Sequence, residues 1–539
     1  MSPGWRTRLH VLSHDRTWLK RTSLVLVALG FVAALVLAAM TQGREVEVAP
    51  DPVERVLREE WQALRRAETP QTRSLAAWLR RVAGSLEHLS RVTGRPVPDW
   101  STFQREGGLF EFATVALLER HAVDPASRRV LEAFLQAWLE LPSTDGTQAL
   151  ERLEALARSD VELANEMLAA LRLRDRDQAG ALALLLREGQ LFEAATPARE
   201  AALRLALRLR DGSALRAMAK TEGWMEAMPS LLQHHAGTLL GDFGLQWRGL
   251  LGHRLDHLPL GALALAGFAA LLWFVVLVLQ GPAGDWRWLW PLGPLLAGVL
   301  SVWPAVSVGA WQEVVHGMSA DAPFPHDLWY YVGGVGLREE LAKLVAGALF
   351  LPGLLRRRVP GRALFTGAFV GLGFAFEENL NYYEQYGGGV AVVRFLTANF
   401  MHAALSGLIL HALEQALRTR FARVEGFLLT LPAAVVVHGA YDFGASSDVS
   451  GLDFLSMMLL ALTAWHFLDL AEAEARPGRR WVCPGAVVVL GTALLLVWCC
   501  ISTALRTPDL ASLAGAGMDG LAVLPLVFIY WHRLGSDLP

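Results

Sequence analysis

The sequence predicts an all-α protein, a polytopic transmembrane helical bundle of about ten spans with an inserted soluble helical domain. Three observations predict it. Hydrophobic residues make up 53% of the 539 and charged residues only 19%, a balance unusual for a soluble chain. The apolar residues are concentrated near the N-terminus and after about residue 258, in runs that reach the roughly 20 residues a helix needs to cross a bilayer. Between these blocks the composition turns to Ala, Leu, Arg and Glu, with apolar residues three and four apart, the period of an amphipathic helix.

Arg6, Arg8, Arg16, Lys20 and Arg21 precede the first apolar run, over 23–40. A secretory signal shares this layout, but the run is long for one. The following Thr41, Gln42, Gly43 and Arg44 also make a poor cleavage site. Region 1–43 is therefore expected to be a basic cytoplasmic N-terminus with an uncleaved anchor. Region 44–257 reads as an extracytoplasmic helical domain. In it Leu150, Leu153, Leu156 and Ala157 are followed by Val161, Leu163 and Met167. Turn-prone stretches at 143–146 and 174–177 are expected to separate its helices. Its plain reading is a solvated domain without chemistry; its functional reading is a partner-binding or substrate-gating module, since stacked helices form extended grooves.

Leading membrane helices are expected in region 258–328, with spans at 258–280 and 288–310. Four more, at 330–355, 362–383, 392–416 and 427–446, form region 329–446. The C-terminal region 447–539 holds spans at 452–471, 482–503 and 512–532. Loop charge orients them: Arg356, Arg357, Arg358 and Arg362, then Arg418, Arg420 and Arg423, then Arg476, Arg479 and Arg480 all fall on the side of the N-terminus. The opposite loops, around 386–390 and 446–453, carry almost no Lys or Arg, as expected with the basic loops in the cytoplasm. Cys483, Cys499 and Cys500 sit in or beside one apolar run, which argues against a disulfide framework or a cysteine metal site. The net charge of −3 offers no basic footprint, and no nucleic-acid partner is expected.

Ionisable residues at membrane depth are costly and usually face a bundle interior or a watery cavity. The four spans of region 329–446 carry them: Arg338, Glu339, Glu340 and Lys343; Glu377, Glu378 and Asn379 with Tyr382 and Tyr383; His402 with Ser406; and His438 with Asp442. Glu339 and Lys343 lie four apart and can pair on one face, with Glu340 about 100° away and free for another partner. Glu378 and Tyr382 are also four apart, as are His438 and Asp442. With alternating helix directions these groups come out at a similar depth, the middle to outer half of the membrane. Each has a bland reading: an ion pair for the glutamates, a solvated helix end for Glu377, an aromatic belt for Tyr383, interhelical hydrogen bonds for the histidines. His411 and His466 near inner ends read as incidental.

Carboxylates with imidazoles suggest a water-activating site, in which a buried glutamate takes a proton from water and imidazole or Asn379 steadies an oxyanion. No nucleophile-elbow serine is present, so direct attack by water is expected over covalent catalysis. No cofactor is required by the sequence. The same residues also admit a divalent metal such as zinc, held by His402, His438, Glu340 and Glu378, although no His-Glu-x-x-His signature occurs. A receptor, scaffold or transporter could use such a polar cavity too. Convergence of these groups would favour hydrolysis; a string of them across the membrane would favour transport.

Glu339-Glu340-x-x-Lys343, Gly373-Phe374-Ala375-x-x-Glu378-Asn379-x-x-Tyr382, His402 and His438-Gly439-Ala440-Tyr441-Asp442 occur in that order over about 330–446. Together they resemble the PrsW family of bacterial membrane proteases, related to the CAAX-prenyl-protease and abortive-infection group. The resemblance implies a glutamate-dependent intramembrane protease of the bacterial cytoplasmic membrane. Its substrates would be membrane-anchored proteins, in some members an anti-sigma factor, which suggests a role in transmembrane signalling. It carries over Glu339, Glu340, Glu378, His402 and His438 as catalytic or site-forming, with Lys343, Asn379, Tyr382 and Asp442 supporting. Glu377 is an extra carboxylate beside the Glu-Asn pair. The 44–257 domain is not part of the family core, and a protein partner for it is one expectation.

Overall fold

The computed structural model describes residues 3–42, scattered positions from 126 to 137, 143–256, 260–282, 288–446, 451–474, 482–506 and 510–535. The expectations for residues 44–125, for the loop at 447–450 and for Arg476, Arg479 and Arg480 lie outside the described residues. All elements among the described residues are helical. The chain divides into two compact units, residues 1–44 with 256–539, and residues 45–255.

In the second unit, helices α3 (Thr144–Arg158), α4 (Ala164–Arg174), α5 (Gln178–Leu191), α6 (Thr196–Leu209), α7 (Gly212–Lys220) and α8 (Ser230–Leu240) pack largely on their sequence neighbours. A further helix, α9, runs Phe243–Asp256. The core is Ala, Leu and Met around a fully buried Trp224. The turn-prone stretch at 143–146 falls at the start of a helix. Ser143 caps α3, its side chain accepting from the Gly146 N–H at 3.1 Å. Asp177 and Asp211 cap α5 and α7 in the same way. The buried Glu188 accepts from the Leu163 N–H at 2.5 Å and from Asn165 at 3.3 Å, tying α5 to the start of α4.

In the first unit, α1 (Pro3–His14) leads into α2 (Arg16–Gln42), whose Ala34 and Ala38 pack with Cys500, Ala504 and Leu513. The remaining long helices are α10 (Leu260–Gln280), α11 (Leu292–His316), α15 (Arg362–Tyr386), α17 (Ala398–Arg418), α18 (Val424–Ser446), α19 (Leu452–Glu474) and α20 (Pro484–Arg506). Between α11 and α15 lie a short α12 (His326–Trp329), a π-helix (Tyr330–Gly336), α13 (Leu337–Ala348) and α14 (Leu351–Arg357). α16 (Ala391–Leu396) precedes α17, and α21 (Leu510–Ala522) and α22 (Leu524–Leu534) end the chain.

Among the described residues, seven stretches are long and apolar enough to cross a membrane, against the ten expected. The other three differ for physical reasons. The 330–355 segment is broken: Pro352 has no N–H to continue α13 and opens α14 instead. The 512–532 segment breaks similarly at Val523, ahead of Pro525. α15 is one helix of 25 residues, but its C-terminal half carries Glu377, Glu378 and Asn379.

α15 and α17 form the centre of this unit, buried from Ala363 to Ala375 and from Ala398 to Leu410. Glycine lets them touch: a Cβ at Gly371 would collide with the His402 carbonyl, and one at Gly367 with that of Ser406. Gly373 and Gly298 play the same part between α15 and α11. Where α16 ends, its freed carbonyls still need donors, because lipid offers none. Trp273 Nε1 donates to the Phe395 carbonyl at 2.6 Å and Tyr530 Oη to that of Leu396 at 2.8 Å. The start of α17, and so His402, is thereby anchored from α10 and α22.

Candidate active site

α13 presents two faces. Leu337, Leu341 and Val345 are exposed at a four-residue spacing that suits lipid, while Glu340, Lys343 and Gly347 are buried opposite. Lys343 pairs with Glu340, not with Glu339 as the four-residue spacing suggested. Its Nζ donates to Glu340 Oε1 at 2.6 Å, and neither side chain has any exposed surface. The i,i+3 pairing wins because Lys343 Nζ also reaches His402 Nδ1 on α17 at 2.9 Å, on the buried side.

Glu340 has a second partner. His438 Nδ1 lies 2.7 Å from Glu340 Oε1, so a carboxylate receives the Nδ1 proton and turns the Nε2 lone pair away from it. Nε2 looks toward Asp442 Oδ2 at 3.3 Å and Glu339 Oε2 at 3.6 Å. The His402 and His438 rings stand nearly edge-on, with centroids 5.0 Å apart. From α15, Glu378 Oε2 comes within 2.9 Å of His402 Nε2. Groups from four helices thus converge on one point.

The structure brings together Glu339, Glu340, Glu378, His402, His438, Lys343 and Asp442. It sorts them in a way spacing alone did not. Glu340 is occupied by Lys343 and His438 Nδ1, and the carboxylate facing the imidazole is Glu339, where Glu340 had been expected among the ligands. Glu378, not Glu377, meets His402. Glu377 is nonetheless buried, at 5% exposure, and is not a solvated helix end. Asn379 is turned from the imidazoles to other partners: its Nδ2 donates to Asn399 Oδ1 at 2.5 Å, and its Oδ1 accepts from Arg394 Nε. The Tyr382 ring lies under the Arg394 guanidinium, 3.5 Å from its Cζ. Sequence reasoning missed Arg394 and Asn399. The available signal was a cation in the first turns of an otherwise apolar span.

One carboxylate oxygen of Glu339 with one nitrogen each from His402 and His438 could hold a metal ion, all three atoms lying within 4.8 Å of one another. The donor chemistry fits a cation. Glu339 Oε2 is buried without a hydrogen-bond donor in line, a costly state that a positive ion relieves. Glu340 on His438 Nδ1 is the kind of outer partner that orients a ligating imidazole. Lys343 can only donate, so it places the His402 proton on Nε2, and a cation there displaces that proton.

Residues 286–471, about a third of the chain, match the family model described as PrsW family intramembrane metalloprotease. Over this segment the chain is similar to that family, a similarity that supports a membrane-embedded peptidase. The matched segment runs from the start of α11 through most of α19 and contains every residue of the convergent site. No curated protein and no solved structure matches the chain.

Proposed function

We propose that the chain cleaves peptide bonds of membrane-anchored proteins within the bilayer, with Glu339, His402 and His438 as metal ligands and Glu378 as the base. The observation that carries this reading is the meeting of the His402 and His438 imidazoles with Glu339, whose Oε2 has no donor, and with Glu378 beside His402. Two histidines and a glutamate, with a further glutamate at hand, are a donor set used for metal-assisted hydrolysis. A zinc-class ion held there would polarise the scissile carbonyl and favour ionisation of water near neutral pH. The chain's own residues do the rest. Glu378 accepts the proton of the attacking water and passes it to the leaving amine as the C–N bond breaks. Glu340 holds the His438 ring by its Nδ1–H, and Lys343 balances the Glu340 charge. Convergence at one point, not a string of groups across the bundle, favours hydrolysis over transport.

The same reading includes the arrangement in the membrane. Ten crossings of a bacterial cytoplasmic membrane are proposed, counting the broken helices at 330–357 and 510–534 and the polar-ended α15. The N-terminus lies in the cytoplasm and region 44–257 outside, where it receives or gates a protein substrate, with a role in signalling.

The test is turnover of single-span reporter proteins in proteoliposomes, comparing wild type with Glu378→Gln and Glu339→Gln, with and without chelator. Cleavage lost in both folded variants and on chelation, then restored by zinc, supports the mechanism. Wild-type activity that survives chelation removes the metal from it. Wild-type rates in Glu378→Gln remove the base.

A further inference from the structure

We propose that Arg394 is a positioning residue that holds the Glu378 carboxylate against His402 and so fixes where the base stands. The inference rests on the reading of Glu378 as the base. Arg394 Nη2 lies 3.1 Å from Glu378 Oε2, the same oxygen that stands 2.9 Å from His402 Nε2. The guanidinium is itself held from three directions. Its Nε donates to Asn379 Oδ1, and Asn379 is held in turn by its bond to Asn399 Oδ1. Both asparagines are fully buried. The Tyr382 ring supports the guanidinium face, with Cζ 3.5 Å from the ring centroid, a contact that favours a planar cation. The end of α16, which carries Arg394, is anchored through the Phe395 and Leu396 carbonyls to Trp273 and Tyr530.

The geometry asks for arginine in particular. One rigid planar fork donates to Asn379 through Nε and holds Nη2 at ion-pair distance from Glu378, while its face rests on Tyr382. A lysine supplies the same charge from a single nitrogen and cannot meet both groups in that arrangement. Glu378 would then keep a cation nearby but lose its fixed aim, and small displacements of a reacting group are expensive in rate.

Full-length Arg394→Lys, Arg394→Met, Glu378→Gln and the Arg394→Met/Glu378→Gln double variant would be reconstituted in proteoliposomes. The measurements are kcat and KM on a single-span reporter, zinc content after loading with zinc alone, and melting temperature. Arg394→Lys is expected to lower kcat on the order of tenfold or more, with KM within about twofold and zinc content and melting temperature at wild-type level. The double variant, which removes both members of the ion pair, should be no slower than Glu378→Gln alone, because the arginine acts through that glutamate. Wild-type kcat in Arg394→Lys would overturn the proposal. So would a kcat loss that tracks lost zinc or early melting, which marks a merely structural ion pair, or a further loss in the double variant. Wild-type turnover in Glu378→Gln would instead sink the assignment of the base, and the inference with it.

Discussion

At the scale of single residues, the site is a set of buried charges that tolerate burial only in company. Glu340 and Lys343 have no exposed side-chain surface, and each carries a second contact to an imidazole. Replacing a buried pair by apolar groups can be nearly neutral, whereas removing one partner leaves an uncompensated charge. Lys343→Met is therefore expected to cost about 3–5 kcal/mol of stability, and Lys343→Met/Glu340→Gln to recover much of it. Unfolding of the detergent-solubilised variants would check this, and equal stability of the two would count against the pairing. Neither is expected to be active, since His438 loses its orienting carboxylate in the double variant and Glu340 loses its counter-charge in the single one.

At the scale of helices, the depth of each polar group is set by how closely backbones approach. α15 and α17 meet through Gly367 and Gly371, and the second of these lies directly against the carbonyl of His402. Gly371→Val has no side-chain end to yield, only backbone, so α17 must shift and carry His402 with it. A loss of more than about 2 kcal/mol, within the range for overpacking, and loss of peptidase activity are expected. Gly353 on α14 is the control, since a Cβ there meets nothing within 4 Å. Gly353→Ala should match or slightly exceed wild-type stability, by about 0.5–1 kcal/mol. Thermal melts of the two variants side by side make the comparison.

At the scale of the whole molecule, the proposed orientation places the basic loops of the bundle on one side of the membrane. Arg356, Arg357, Arg358, Arg420 and Arg423 are all exposed, and Arg418 donates to the Leu354 carbonyl at 3.2 Å, so these two basic loops lie at one end of the bundle. Tyr386 is exposed at the far end of α15. In a variant with Cys483, Cys499 and Cys500 replaced by Ala, Arg357→Cys and Tyr386→Cys should label from opposite sides of intact cells. An impermeant maleimide is expected to reach position 386 and not 357. Labelling of both from one side would break the proposed count of crossings.

The sequence by itself determined that this chain is a helical membrane protein and that region 329–446 carries the ionisable residues that the structure brings together. Length and hydropathy of a helix are local properties, and an ionisable residue in an apolar run is visible without any partner. The order of the glutamate, asparagine and histidine motifs also sufficed to suggest the family whose model matches residues 286–471. Partner choice was decided only by tertiary structure. Spacing favoured a Glu339–Lys343 pair because it sees one helix at a time, whereas Lys343 is drawn to Glu340 by a third group, His402, from a distant helix. That choice frees Glu339 to face the imidazoles. Arg394 stayed hidden for the same reason: its three partners lie 12 to 16 residues away or face it across a helix break. The helix breaks at Pro352 and Pro525 were legible in principle, but hydropathy averages over them, and a proline's effect depends on whether neighbouring helices supply the missing hydrogen bonds.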